Sequence, residues 1–563
     1  MLAAHALPRV LPGIHWPREE LAMTVPLSTL PVRFRGARGA SGPVTLGQRN
    51  VLRWLGSDGD RSDVLPVFVE LAPGHTLAEV VSALGVLVAR HEALRTRFVP
   101  DAPDGPVQCV QAAGEVELEL HELRGDPWQF VGELVWRAVL VPFDVVNGLP
   151  LRVLAVTGAD GAPLVVVLLF CHVAVDAAGA AIVGDQLRAL LAGRDDLDQE
   201  PGHQPLDQAE WEQSEVGRRR TRSALRYWDT RLRQVPQAMC ALPPHPDGVP
   251  GHLERRMLSS AVASALRTIA GRTGASHSTV VLAAGAALLG VHTDTPAGAM
   301  VSICGNRFRS AWREYVGPLA QDALVPFTLA PEATFDELVS QVQATTINAY
   351  RYAQFDSVQL WEVIDAVGRE RGTYFHRDAV FNDLGATGAS AASQAPEDPV
   401  AALADTRLEA MPDRSLPTAF LLTLGGVDET TADIRLHTDT TRFPDVDGFL
   451  LALERLLVTA ATGEPRVRDI AAITGVVPVA RGADWQVIDS SWVDLARVRE
   501  LVGGPVRVED GRIVAEVAGG ADTPAAAHAR VLAQLPGSPA AMAPHHYVIQ
   551  AADRTPIGEG SGR

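Results

Sequence analysis

The stretch PLVVVLLFCHVAV (163–175) constrains this chain most, because few structures can house so apolar a run. It is far shorter than the ~20 residues a membrane-spanning helix needs. Its β-branched content instead fits a central strand covered on both faces. PLRVLAV (150–156) is strand-like too, and GADGA (158–162) lies between them, so the spacing predicts a hairpin. DAAGAAIVGDQLRALLAG (176–193) then has the composition of a helix. The fold must therefore bury a sheet between two layers.

His172 ends the apolar strand, with Cys171 before it and Asp176 four residues beyond. At the end of a covered strand, where a sheet meets a crevice, a neutral imidazole can accept a proton from an attacking amine or hydroxyl. The same residues fit a packed core histidine followed by a helix-capping aspartate, and both readings stand at this point. Asp176 can cap the helix or pair with an arginine. Neighbouring strand residues point to opposite faces, which disfavours a Cys171–His172 nucleophilic pair. Cys171 reads as a small buried hydrophobe.

Elsewhere the pattern is mixed. LPVRFRG (30–36) and DVLPVFVEL (63–71) read as strands, and LGQRNVLRWLG (46–56) as a helix. Thr76 is placed to cap a helix whose apolar face carries Leu77, Val80, Val81, Leu84, Leu87 and Val88. A polar stretch, 194–222, precedes ALRYWDTRLRQVP (224–236), and PPHPDGVPG (243–251) reads as a linker. Helices are expected at 261–272, 278–292 (capped by Ser278), 335–350 and 444–462. Strands are expected at 298–304 and near 378–383, 416–424 and 431–438. Residues 386–406 read as a mobile loop. The domains expected are a flexible tail, 1–29, two mixed halves, 30–240 and 241–475, and a small module, 476–563. The class is α/β (α+β), without the run of βαβ units of a doubly wound sheet.

Composition excludes several functions. The chain has 563 residues, 47% hydrophobic and 21% charged, as a globular protein of more than one domain does. A net charge of −18 argues against nucleic-acid binding. Cys109, Cys171, Cys240 and Cys304 are scattered, so neither a disulfide framework nor a zinc site is expected. With no signal-peptide pattern and no membrane span, the cytoplasm is the expected compartment. Met23 is a candidate start.

Several segments together carry a resemblance. FCHVAVDAAG (170–179) resembles the HHxxxDG motif of condensation domains from nonribosomal peptide synthetases. RHEALRTRF (90–98) is a nearly complete copy of that family's second motif. VTLGQRNVLRW (44–54) resembles its first, with Gln48, Leu52 and Trp54 in place. PFDVVNGLPLRVLAV (142–156), YWDTRL (227–232), GNRFRSAWREYVGPLAQDALVPF (305–327), AVFNDLG (379–385) and RLHTDTTRF (435–443) are similar to further family segments, in family order.

The resemblance implies two chloramphenicol-acetyltransferase-like halves in a V, with a tunnel between them. It implies amide formation between an acyl or aminoacyl thioester on a carrier protein and an amine acceptor, small or itself carrier-bound. The 4′-phosphopantetheine arm arrives on the carrier, and no metal or permanently bound cofactor is implied. His172 matches the functional histidine. Asp176 matches the motif aspartate, which pairs with an arginine in the family, here Arg307. Three positions depart from the pattern: Cys171 replaces the first histidine, Ala177 the motif glycine, and Gln321 an asparagine. These leave open normal activity, an altered acceptor, or a non-catalytic docking platform for carrier proteins or a tailoring enzyme. Ester formation on a hydroxyl and use of soluble acyl-CoA are variants of the same chemistry.

ARGADWQVIDSSWVDLARVRELV (480–502) resembles the motif opening the small C-terminal lobe of adenylation domains. Segments 504–520 and 528–563 are similar to the rest of that lobe, with Glu559 where the family has its catalytic lysine. A carboxylate cannot replace a cation beside a phosphate. The module is expected to be a relic that docks a carrier or braces the fold. The whole is expected to be a freestanding condensation enzyme.

Overall fold

The computed structural model describes residues 26–55, 64–194, 202–385, 398–412, 416–428, 430–519, 523–551 and 553–563. They divide into two units. One holds the described residues up to Thr221 together with Gly305–Gln321; the other holds Arg222–Cys304 and Asp322–Arg563.

The first unit begins with Ser28–Arg35 (β1), Ala40–Pro43 (β2), Leu46–Leu55 (α1), Val64–Glu70 (β3) and Leu77–Arg90 (α2). Thr96–Val99 (β4), Val107–Val110 (β5), Ala113–Glu122 (β6) and Pro127–Val139 (α3) follow. Leu151–Thr157 (β7), Pro163–Cys171 (β8), Ala177–Leu191 (α4), Pro205–Gln213 (α5) and Glu215–Leu232 (α6) complete it, α6 running on into the second unit. The main sheet has the order β1-β6-β7-β8-β3 and is antiparallel except between β6 and β7.

The apolar run forms β8, hairpinned to β7 with Leu151 opposite Phe170. Its alternate residues enter two cores. Val166, Leu168 and Phe170 pack with Leu84 of α2 and Val183 of α4, while Val165, Val167 and Leu169 pack with Phe130 and Leu134 of α3. Each such side chain contributes about 1.5–3 kcal/mol on burial. The strand is thus anchored from both sides up to the residue before His172.

Local signals set the helix starts. Thr76 caps α2 in a reciprocal box with Glu79, and Asp126 caps α3 ahead of Pro127. Elsewhere the expectations need correction. Ser276, not Ser278, caps the helix His277–His292. The polar stretch 194–222 contains α5 and the start of α6: α5 buries Gln208 and Glu212 and the start of α6 is exposed arginine, so neither shows the broad apolar stripe that periodicity detects. Ser28 and Thr29, assigned to the tail, already pair with β6; residues 1–25 lie outside the described residues. Of the loop 386–406, residues 386–397 also lie outside them, and Ala401–Asp405 form a 3₁₀ turn that buries Ala402.

The second unit is built on His252–Ser259 (β9), Ser260–Thr273 (α7), His277–His292 (α8), Ala297–Cys304 (β10), Gln321–Thr328 (β11), Phe335–Tyr350 (α9) and Ser357–Arg371 (α10). Ala379–Asp383 (β12), Arg407–Ala410 (β13), Phe420–Val427 (β14), Ala432–Asp439 (β15) and Val446–Thr462 (α11) follow. Its sheet has the order β11-β10-β12-β14-β15-β9-β13.

After Ile470–Thr474 (α12), the last segment forms a hairpin, Trp485–Ile488 (β16) and Ser491–Asp494 (β17), and the helix Leu495–Val502 (α13). Val506–Glu509 (β18), Arg512–Ala518 (β19), Pro524–Leu532 (α14), His546–Gln550 (β20) and Pro556–Gly560 (β21) add a four-stranded sheet. Buried polar contacts tie this segment to the rest of the unit. Gln237 donates to Ala541 O at 2.7 Å and accepts at its carbonyl from His376 N. Arg371 donates to Asp489 Oδ2 (2.7 Å), Asp489 O (2.8 Å) and Val235 O (2.9 Å). Arg563 donates to the carbonyls of Glu370 and Arg371 at 2.8 and 2.9 Å.

Candidate functional site

β8 ends at Cys171, and the chain turns through His172–Ala174 before α4. The turn breaks the alternation of strand faces. Cys171 is fully buried with Val44, Val51, Phe98 and Val173, as its size and polarity favour. His172 is 3% exposed, and Trp54 of α1 meets its ring edge-on at 5.8 Å. Burial pushes the imidazole below its ordinary 6.5, against the opposing pull of its own and Val175's backbone and of the Asp176 charge. At neutral pH the ring is uncharged, the form a general base requires.

Asp176 does both things open to it. It caps α4, its Oδ1 accepting from Gly179 N at 2.9 Å, and pairs with Arg307. The guanidinium donates twice, Nη2 to Oδ1 at 2.7 Å and Nη1 to Oδ2 at 2.8 Å. Oδ2 also accepts from Leu319 N and Ala320 N at 2.9 and 3.1 Å. Burial alone would raise this carboxyl; the charge and hydrogen bonds of Arg307, with the Gly179 and Leu319 N–H groups, outweigh it and hold it below the usual range. Ala177 is the first residue of α4, half-buried beside this pair.

The loop 305–321 is therefore clamped onto the turn that carries His172. Arg307 Nη2 also donates to the carbonyls of Tyr315 and Gly317, and Asn306, at φ 54°, donates from Nδ2 to Leu319 O. A short polar side chain tolerates that left-handed backbone. The loop also lies against α1: a Cβ on Gly47 would come within 1.8 Å of Pro318 O. Gln321, 3% exposed, ends the loop and opens β11.

Sequence reasoning singled out His172, Asp176 and Arg307, and the structure brings Asp176 and Arg307 into contact beside the His172 turn. It missed the backbone donors Leu319 and Ala320 and the close approach at Gly47. A glycine inside a helix, costly by about 1 kcal/mol, was the one available signal for the latter. RHEALRTRF proves to be scaffold: Arg95 donates to Arg38 O and Gln111 O, Glu92 pairs with Arg38, and His91 Nε2 lies 2.6 Å from Gln186 Oε1. Among the described residues no group of three or more His, Cys, Asp or Glu side chains is placed to hold a metal, and no single helix is long and apolar enough to cross a membrane.

The mixed α/β fold is shared with solved condensation-domain structures. The condensation-domain model matches residues 55–443, and the chain belongs to that family. It is 28% identical over 288 residues to phosphinothricin tripeptide synthetase PhsC of Streptomyces viridochromogenes, covering 49% of this chain and 26% of that one. The SgcC5 protein of Streptomyces globisporus has a similar solved structure, with a TM-score of 0.57 and 21% identity over 75% of this chain and 99% of that one. The X-domain from teicoplanin biosynthesis gives 0.56 and 21%, over 77% and 98%. The chain spans about a quarter or less of the length of the curated relatives it matches.

Proposed function

We propose that this chain forms an amide between a carrier-bound acyl or aminoacyl thioester and an amine. One observation carries the reading: a neutral His172 stands at the end of an anchored strand, on a turn locked by Asp176 and Arg307. As the amine nitrogen attacks the thioester carbonyl, Nε2 or Nδ1 of His172 accepts its proton. The tetrahedral centre then collapses, the C–S bond breaks, and the imidazolium returns the proton to the departing pantetheine sulfur. Asp176 and Arg307 position the turn without touching substrate.

The reaction needs no amine from the enzyme, and the chain has none on any side chain: all 49 of its basic residues outside histidine are arginines. It therefore offers no lysine for a reactive thioester to acylate. We read residues 476–563 as a relic adenylation lobe that braces the fold. Glu559 sits exposed on β21, and Arg371, Gln237 and Arg563 tie the segment to the second unit. A soluble chain meeting its carrier in trans, in the cytoplasm, completes the reading.

The test is a loaded carrier protein from the same pathway mixed with a panel of amines and alcohols, followed by intact-protein mass. Amine-dependent loss of the acyl group, reduced about 10²–10⁴-fold in a folded His172→Ala variant, is the expected result. Transfer only to alcohols would make the chain ester-forming, a variant favoured by the ethanediol held in the SgcC5 structure. Carrier binding without acyl loss in either protein would favour a docking platform. Ala177 supports that second reading, as does the X-domain's structure in complex with OxyB.

A further inference from the structure

Helix α1 takes no part in the clamp between Asp176 and Arg307, yet one of its faces meets the loop, the strand end and the imidazole. Gly47, Val51 and Trp54 stand at i, i+4 and i+7, so they line a single face over two turns, about 10 Å long. Gly47 lies against the clamped loop, where a Cβ would come within 1.8 Å of Pro318 O. Val51 packs in the cluster of Cys171 and Val173, the residues on either side of His172. Trp54, half-buried, packs on the same cluster, and its ring stands at 87° to the imidazole, with centroids 5.8 Å apart.

Buried polar contacts fix where this helix begins. Thr45 N donates to Gln48 Oε1 at 2.8 Å and Gln48 N to Thr45 Oγ1 at 3.1 Å, both residues being 0% exposed. Gln48 Nε2 donates to Gln108 Oε1 at 3.2 Å, and Leu46 N to Glu212 Oε2 at 2.7 Å. A slide of the helix would leave these buried groups unpaired, so they admit one register. At Gly47 the neighbour is a backbone oxygen, which cannot swing aside as the end of a side chain does, and the contact sets the depth of α1. Register and depth together place the indole. A ring perpendicular to the imidazole and in contact with it restricts rotation about the histidine Cβ–Cγ bond, a torsion that is otherwise broad.

We infer that Trp54 is a positioning residue for His172, its indole fixing the plane in which the imidazole accepts the nucleophile's proton, and that Gly47 sets its approach; the kinetic side of this role rests on the acyl transfer proposed above. The indole also covers the imidazole, whose burial is the first cause of its lowered value. The side-chain charge acting on the ring is that of Asp176, which pulls the other way and is itself paired with Arg307. Arg49 and Arg53 lie on the opposite face of α1, and Arg97 alternates with Phe98, the β4 residue of this cluster. Removing the indole admits water beside the ring, so the imidazole value moves up towards 6.5.

Two readouts on the full chain test this. The first needs no substrate: NMR of histidine-labelled protein follows His172, assigned by the signal lost in His172→Gln. Its titration midpoint should rise by about 0.5 pH or more in Trp54→Leu and stay within about 0.2 of the wild type in Trp54→Phe. The second is acyl transfer from a loaded carrier to an amine. Trp54→Leu should lower kcat about tenfold with KM for the carrier within about twofold, and Trp54→Phe should recover most of the loss. Gly47→Ala, which forces α1 off Pro318, should reproduce the leucine pattern with Trp54 still present; Trp54→Met serves if the leucine variant melts early. An unchanged titration and unchanged kcat in Trp54→Leu would overturn the role, as would a loss that falls on kcat and KM alike and is not rescued by phenylalanine. A shifted titration with no acyl transfer in any protein, wild type included, would keep the positioning and remove the condensation reading. Wild-type transfer with neither shift nor loss in Trp54→Leu would do the reverse.

Discussion

Asp176 is a buried carboxylate and Asp378 a half-buried one, one in each unit, and they have opposite fates. Asp176 has the two forked donors of Arg307 plus three backbone N–H groups, and its carboxyl is held below the usual range. Asp378 accepts from Met239 N and Cys240 N at 3.0 and 2.8 Å, and burial raises it to about 6 despite them. Backbone dipoles, with only a lesser pull from the Arg442 charge, do not repay the desolvation of Asp378; a full, well-oriented opposite charge in contact does so for Asp176. The first arrangement locks a turn in its charged form. The second fastens the 239–240 linker to the start of β12 with a group that titrates near neutrality.

Removing the charge is the strongest way to break the contrast. Arg307→Ala leaves Asp176 buried and unpaired, and chemical denaturation should show a loss of about 3–5 kcal/mol at pH 7. The double variant Arg307→Ala/Asp176→Asn should recover part of that loss. Equal destabilisation in both would mean the arginine acts through packing rather than charge.

The pH dependence sharpens it. Asp176, with a lowered folded value, contributes stability that is present above the unfolded value of 3.8 and lost as pH falls through the folded one. Asp378, with a raised value, contributes stability that is present below 3.8 and lost as pH rises through about 6. Between pH 4 and 7, Asp378→Asn should therefore gain on the wild type by up to about 3 kcal/mol in denaturation midpoints converted to free energy. A difference that stays flat over that range would show Asp378 titrating normally. His172 adds a kinetic counterpart: with its imidazole lowered below 6.5, the acid limb of the acyl-transfer rate should lie below 6.5 as well.

The smallest expected effect concerns Ala177. Restoring glycine at the first turn of α4 should change stability by less than about 1 kcal/mol. Under the proposed function, Ala177→Gly should raise kcat/KM for bulky acceptors more than for small ones. No change for any acceptor would remove Ala177 from the acceptor's path.

Much of this molecule was legible in its residues. The apolar run 163–171 was legible as a strand covered on both faces, because β-branched and large apolar residues in unbroken succession suit that setting. Thr76 and Asp176 mark helix starts because a side-chain oxygen there satisfies N–H groups the helix cannot. Motif order pointed to the family, and it put Arg307 against Asp176 across 131 positions of sequence. What only the tertiary structure decided is which groups lie beside these. Helix α5 buries the polar Gln208 and Glu212, and α6 starts with exposed arginines, so no apolar stripe announced them there. The N–H groups of Leu319 and Ala320 carry no sequence signature, since every residue except proline has one. Local chemistry determined where elements begin and what their faces are; long-range contacts determined which charges became neighbours, and electrostatics acts on distance in space rather than along the chain.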